Sequence, residues 1–210
     1  MSFLWGYCLY LCAMLYDLIK NKQLILASKS PRRKELLSAM NLDFEIIVRP
    51  VDEQFPPGLK PHEAAEHIAL SKAEVFRKDL KTNQIILTGD TIVACDDLIM
   101  GKPKNREDAI FMLNKLSGRP HQVTSSICLL YNSETVVKSD TARVHFKKLS
   151  AQEIDFYIKN YKPYDKAGAY GIQEWLGHIG ILKLEGSYNT VMGLPTHLLY
   201  NMLQNLPVNF

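Results

Sequence analysis

The chain has 210 residues, 47% of them apolar and 22% charged, which is ordinary for a soluble globular protein of one sizeable domain or two lobes around a cleft. Its formal net charge of +3 is too small to argue for a nucleic-acid partner. Cys8, Cys12, Cys95 and Cys128 form no CxxC pair and have no metal-like spacing to histidine, so a zinc site is disfavoured, and scattered thiols suit a reducing cytoplasm.

Residues 1–16 carry no charge. The run is shorter than the roughly 20 apolar residues of a membrane span, and it lacks the basic start and the cleavage site of a signal peptide. No stable membrane association is expected of it. A start at Met14 would make residues 1–13 a start-site extension and residues 14–20 a short lead-in helix. Peptides from residues 2–13 in the mass spectrum of the endogenous protein would sink that reading. Residues 1–23 are read as an apolar lead-in and residues 24–206 as a single domain.

Residues 24–27 read as a short buried strand. Ser30 stands where a helix N-cap belongs, Pro31 suits the first helical position, and Leu36, Leu37 and Met40 give the helix an inward face. Two serines and two arginines, Ser28, Ser30, Arg32 and Arg33, thus crowd a strand-to-helix junction where free N–H groups and the helix dipole favour an anion. Cations there oppose the dipole unless an anion joins them, so the pattern reads as a phosphate site rather than a solvated basic turn. Residues 43–48 read as a second strand, followed by a proline-rich turn at residues 55–58.

Helical spacing predicts a helix over 61–80 with Ala65, Ile68, Ala69, Ala73 and Phe76 inward. Residues 84–87 read as a strand ending at Thr88-Gly89-Asp90-Thr91, and residues 92–95 with 98–100 as a hairpin. Asn105 caps a helix to Leu116, with Gly118 beyond its end. Strands over 121–131 and 135–146 join at Asn132-Ser133. Ser150 and Glu153 form a capping box for a helix to Tyr161. A glycine-rich region, 168–193, precedes a last helix from Pro195 to about Gln204. Helices interleaved with long hairpin strands predict a mixed α/β sheet flanked by helices, bilobed with a central cleft.

Four further features carry chemistry: Asp52-Glu53 after a strand, Asp90 at a strand end, Lys102 on a constrained turn before Pro103, and the polar loop 165–173. Each alone has a bland reading as solvated acids, a turn aspartate, a surface lysine, or a Lys166 that pairs with Asp165. Together they supply basic groups for phosphates, carboxylates for a divalent cation and one acid available as base, the combination that phosphoanhydride hydrolysis needs. No GxxxxGK[ST] sequence is present, which disfavours a P-loop NTPase. No arrangement of His, Cys and Ser suggests a covalent nucleophile, and Cys95 and Cys128, inside apolar strands, read as core.

With Ser28-x-Ser30-Pro31-Arg32-Arg33, Asp52-Glu53, Lys72-Ala73, Gly89-Asp90-Thr91, Gly101-Lys102-Pro103, Leu116-Ser117-Gly118, the loop 165–173 and Met192-Gly193-Leu194-Pro195, the chain from about 24 to 203 resembles the Maf family of nucleoside triphosphate pyrophosphatases. The resemblance implies a Maf-like catalytic domain, an α/β fold like that of inosine triphosphate pyrophosphatases, a site in the cleft and commonly a homodimer. It also implies a nucleoside triphosphate substrate, attacked at the α-phosphorus to give a monophosphate and pyrophosphate, and a divalent cation, Mg²⁺ or Mn²⁺.

Carried over by residue, the resemblance makes Asp90 the proton acceptor that activates water. Glu53 and Asp90 hold the metal; Ser28, Arg33, Lys72 and Lys102 contact the triphosphate. Arg32, Thr91 and Gln173 match the branch acting on dTTP and UTP; the branch acting on 7-methyl-GTP would carry a bulky aromatic, a glutamine and a glutamate there. The Gln173 amide offers a donor and an acceptor to the edge of a pyrimidine. Two departures stand out. Gly89 replaces the usual alanine, with little effect expected, and Glu174-Trp175 replaces a glycine found in many members, at the pocket rim. The competing reading is a nucleotide-binding regulator linked to cell division or septum formation without significant turnover. The full carboxylate set weighs against it, since a pure binder has no use for a positioned base.

Overall fold

A computed structural model of the chain describes residues 19–207. The uncharged start and most of the lead-in helix expected from Met14 lie outside the described residues. The strands form one seven-stranded mixed sheet with helices against both faces. Strand β1 (Gln23–Leu26) runs parallel to β2 (Glu45–Ile46) on one side and to the start of β3 (Gln84–Cys95) on the other. Strand β4 (Leu98–Met100) folds back on the end of β3. Strand β5 (Pro120–Tyr131) pairs antiparallel along nearly all of β3, β6 (Glu134–Phe146) follows it, and β7 (Ile181–Glu185) closes that edge.

Local signals place the helices. The Ser30 hydroxyl accepts from the Arg33 N–H at 3.4 Å at the start of α1 (Pro31–Ala39). Helix α2 (Pro61–Glu74) buries Ala64, Ala65, Ala69 and Ala73, small side chains that let its backbone come close to the sheet. The Thr88 hydroxyl in β3 donates to the Ala69 carbonyl at 2.6 Å, and Ser126 in β5 donates to that of Ala65, fastening α2 across the two strands. Asn105 caps α3 (Arg106–Leu116), and the predicted Ser150–Glu153 box opens α4 (Ala151–Tyr161). Asn132 and Ser133 take φ of 45° and 65°, the left-handed conformations that a two-residue hairpin turn demands.

Four expectations need correction. The second strand shrinks to two exposed residues, since only β1 pairs with it. The helix over 61–80 stops at Glu74, tightens where the Phe76 N–H bonds the Ala73 carbonyl, and resumes as a 3-10 turn at Arg77–Asp79. The glycine-rich region holds a 3-10 turn (Ala167–Ala169), α5 (Trp175–Gly180), β7 and α6 (Tyr188–Met192) before α7 (Thr196–Gln204). Most consequentially, no strand ends at Asp90. Strand β3 continues through Gly89 and Asp90 because β5 pairs with it without a break from Ile85–Tyr131 to Ala94–Gln122. Continuous pairing overrides the turn preference of the Gly-Asp pair.

On its other edge β3 has β1 beside residues 84–87 and β4 beside 93–95, and among the described residues no strand pairs with 88–92 there. The interior divides at the same place. Leu24, Leu26, Leu37, Ile85, Leu87 and Leu199 pack on one side. Val93, Cys95, Leu113, Phe146, Tyr157 and Leu176 pack on the other. Strands β3, β5 and β6 all run from one lobe to the other, and Asp90 sits where β3 makes the crossing along the open edge. Cys95 and Cys128 are buried, as their apolar strands predict. No helix among the described residues is long and apolar enough to cross a membrane.

Near the start of β5, His121 is buried edge-on against Phe146, its Nε2 2.8 Å from the Tyr170 hydroxyl. Burial pulls its pKa from 6.5 to about 4, so the ring is neutral in the fold. Below pH 6.5 the unfolded chain takes up a proton that the native one refuses until about pH 4. Stability should therefore fall as pH drops through that window, by about 3 kcal/mol at its lower end. Urea unfolding of the wild type and of His121→Gln at pH 7 and pH 4.5 checks this; the variant should show the smaller loss.

Candidate active site

A cleft of about 530 Å³ opens at the gap beside β3, and Ser28, Arg32, Arg33, Glu53, Lys72, Asp90, Thr91, Lys102 and Gln173 all line it. The structure thus brings together every site residue expected from the sequence. Strand alternation splits the pair at its centre: Asp90 faces α2 together with Thr88 and Ile92, while Thr91 faces the opposite way, toward Arg33.

Arg33, in the first turn of α1, is buried. Its Nε donates to the Gly193 carbonyl at 2.8 Å, Nη1 to the Ser28 hydroxyl at 3.2 Å and Nη2 to the Thr91 hydroxyl at 3.0 Å. Among the described residues no carboxylate pairs with it; the ion pairs of the cleft run through Arg32, Lys72, Lys102 and Lys166 instead. Burial pulls its pKa down while Asp90 works the other way, and a guanidinium stays charged throughout the range of proteins. A buried cation held only by neutral oxygens is costly unless an anion joins it. The predicted anion site therefore centres on Arg33. Ser28 accepts from the Ser30 N–H and from Arg33, which leaves its own proton free to donate. Thr91 has no such freedom. Ser125 gives its proton to the Thr190 carbonyl at 2.7 Å, so the 2.8 Å contact between Thr91 and Ser125 is donated by Thr91, whose oxygen already takes Arg33.

The acids sit beside this cradle. Asp90 is 8% exposed, and its Oδ1 lies 2.7 Å from Lys72 Nζ. That ammonium is also 2.9 Å from Glu53 Oε1, and Glu53 Oε2 lies 3.1 Å from Lys102 Nζ. Docking of α2 through Thr88 is what brings Lys72 over Asp90. Burial pushes the Glu53 carboxyl up, but Lys72 and Lys102 outweigh it and hold the group below its ordinary 4.5, so it is ionised at neutral pH.

Among the described residues no group of three His, Cys, Asp or Glu side chains converges. Glu53 and Asp90 nevertheless bracket a single ammonium, so their oxygens reach a common point. A cation of the Mg²⁺ or Mn²⁺ type needs only one or two carboxylates when phosphate oxygens and water complete its shell. The donor set fits such an ion and does not fit an all-protein metal cage.

The opposite wall carries Arg32 and Gln173. Arg32 pairs with Asp165 at 3.0 Å, and Asp165 with Lys166 at 2.8 Å, the pairing expected of that lysine. Lys166 also reaches Glu174 at 3.0 Å, and Glu174 accepts from the Tyr157 hydroxyl. Burial pushes the Asp165 carboxyl up, but Lys166 and Arg32 outweigh it and hold it below its ordinary value. The carbonyl oxygen of Gln173 is buried without a hydrogen-bond partner among the described residues. The sequence marks Asp165 and Lys166 only as part of the polar loop 165–173 and Glu174 only as a departure at the pocket rim, with no role for any of the three; Ser125 and Tyr157 share no motif or spacing with the site and carry no signal in the sequence. At the rim, Trp175 packs against Phe156 with ring centroids 4.7 Å apart.

One expectation about this site is wrong. Alanine in place of Gly89 is not a small change here, because its Cβ would stand 2.7 Å from the Ser126 carbonyl and 3.5 Å from Arg33 Nε. The Arg33 distance is ordinary contact, so the strain falls on the Ser126 backbone: Gly89→Ala should destabilise the protein by about 1–3 kcal/mol, read by thermal unfolding.

Fold and cleft together define a mixed α/β protein with a basic and acidic cleft between two lobes. More particularly, the chain belongs to the Maf-like protein family, whose model matches residues 23–206. It is 48% identical over 194 residues to a dTTP/UTP pyrophosphatase of Phocaeicola vulgatus, covering 92% of this chain and 100% of that one. Proteins of the same description from Flavobacterium johnsoniae (47% identity, 92% and 100% coverage) and Christiangramia forsetii (46%, 92% and 98%) are similar to it over 193 residues each. Among solved structures, the Staphylococcus aureus Ham1 protein aligns over 60% of this chain and 72% of that one, at 21% identity and a TM-score of 0.44.

Proposed function

We propose that the chain is a nucleoside triphosphate pyrophosphatase that converts dTTP and UTP to the monophosphate and pyrophosphate with the help of a divalent cation. One observation carries the reading: a buried arginine that forms no ion pair among the described residues faces the same cleft as the chain Asp90–Lys72–Glu53–Lys102. The names of the similar proteins support it.

Arg33 and Ser28 hold phosphate oxygens, and Lys72 and Lys102 exchange part of their pairing with the carboxylates for contact with the triphosphate. Asp90 accepts a proton from a water as its oxygen bonds the α-phosphorus and the bond to the pyrophosphate oxygen breaks. Glu53 and Asp90 would hold the cation, which neutralises phosphate oxygens when bound. The two lysines and Arg33 stabilise the charge that builds on the departing pyrophosphate.

Gln173 and Arg32 sort the base. Uracil and thymine carry an N3–H donor, which the unpartnered Gln173 oxygen lacks; cytosine has an acceptor at that position. Thr91, with its proton committed to Ser125, acts through the Arg33 fork and by its shape. The reading implies a cytoplasmic enzyme, in keeping with the free thiols of Cys95 and Cys128, with nucleotides rather than nucleic acid as its partners and a homodimer as its assembly.

A panel of nucleoside triphosphates assayed with Mg²⁺ tests the proposal. UTP and dTTP should give monophosphate and pyrophosphate, and EDTA should stop the reaction. Orthophosphate as first product overturns the site of attack; tight nucleotide binding without pyrophosphate release favours the regulator.

A further inference from the structure

The turn that carries Gln173 is fastened by groups outside the chemistry above. The Glu174 N–H closes it onto the Gly171 carbonyl at 3.1 Å. Tyr157, fully buried in α4, accepts from the Gly171 N–H at 2.9 Å and donates to one oxygen of the Glu174 carboxylate. The other oxygen takes Lys166, which is 7% exposed and holds Asp165, the partner of Arg32. Both ends of the turn therefore meet at one tyrosine hydroxyl, and the same carboxylate is tied through Lys166 and Asp165 to the second base-sorting residue. Gly171 leaves the room: a Cβ there would stand 3.0 Å from Gln173 Oε1 and 3.0 Å from Glu174 Cδ.

We propose that Glu174 and Tyr157 are positioning residues that hold the Gln173 amide in one orientation and thereby set the discrimination between N3–H pyrimidines and cytosine. The inference rests on the pyrimidine triphosphate reading. An amide offers an acceptor or a donor according to which end faces the base. Held still, it rejects the base whose edge does not match, because buried polar groups would be left unpaired. On a loosened turn it offers either end, and cytosine becomes a substrate. Burial and Glu174 push the Tyr157 pKa up, so its proton stays in place at every working pH.

Two near-isosteric variants test this. In Glu174→Gln one of the two separate positions now taken by Tyr157 and Lys166 faces an NH2 donor instead of an oxygen, and Tyr157→Phe removes the bonds to Glu174 and Gly171 together. Specificity is read as kcat/KM for UTP over that for CTP, from pyrophosphate release, and the turn itself by hydrogen exchange of the Gly171 amide. The UTP/CTP ratio should fall about tenfold or more in both variants, chiefly through KM, and Gly171 should exchange faster in Tyr157→Phe. A ratio within about twofold of wild type in folded variants overturns the proposal, and a lowered melting temperature with an unchanged ratio does the same. If the wild type releases no pyrophosphate from UTP, the enzymatic reading has failed; unchanged Gly171 exchange in Tyr157→Phe would then overturn the fastening independently.

Discussion

Asp90→Asn should lower kcat for UTP and dTTP by roughly 10³-fold or more while leaving nucleotide affinity within about threefold of wild type. Asparagine keeps the size of the side chain and its place in a strand paired with β5 on one edge, so the cleft should keep its shape. What is lost is the charge that can take a proton from water and that would help Glu53 hold the cation. Arg33 and Ser28, which hold phosphate in this scheme, make no direct contact with Asp90: the Arg33 donors end on Gly193, Ser28 and Thr91. Lys72 retains Glu53 at 2.9 Å, so it is not left unpaired. Single-turnover pyrophosphate release and calorimetric titration with UTP separate the two quantities. Residual kcat above about a tenth of wild type would remove Asp90 from the role of base.

The largest effect on stability should come from Gly177→Ala. Gly177 lies within α5, and a Cβ there would stand 2.0 Å from the carbonyl oxygen of Ile172 and 2.5 Å from its carbon. Those are backbone atoms, so no rotamer change relieves the clash; either α5 or the strand of chain before Gln173 must move. A cost of about 4 kcal/mol or more is expected, among the larger values for a single substitution, and a fall in melting temperature of roughly 10 °C or more for a chain of this size. Any folded fraction should also lose base selectivity, since Ile172 precedes Gln173. Calorimetry checks the first expectation and the UTP/CTP ratio the second. A melting temperature within about 3 °C of wild type would show that the contact is not as tight as drawn.

Much of this is legible in the sequence alone. The caps at Ser30, Asn105 and Ser150 are local devices, written in a few adjacent residues, and each appears where the pattern places it. The nine expected site residues could be named because they sit in short motifs that resemble a known family. Other features depend on distant partners. Gly89 and Asp90 read as a turn because nothing in the sequence announces the unbroken pairing with β5. Strand β7 is short, with one large exposed apolar residue, Leu182, and takes its place from pairing with β6 rather than from alternation of its own. The bond network from Arg32 to Tyr157 joins residues more than a hundred positions apart, with no periodicity to betray it.

Uninterrupted passage of β3 through the cleft has a consequence for how the enzyme tolerates change. Asp90 and Thr91 are neighbours in sequence but point to opposite faces of the sheet, and both line one cleft only because that edge lies open. A slip of one residue against β5 would send the acid to the arginine side and bring Gly89 or Thr91 to the lysine side. The long hairpin formed by β5 and β6 thus serves as a ruler: an insertion or deletion anywhere in β3 before Asp90 should be silent only if the pairing from Ile85–Tyr131 to Ala94–Gln122 re-forms in the same phase.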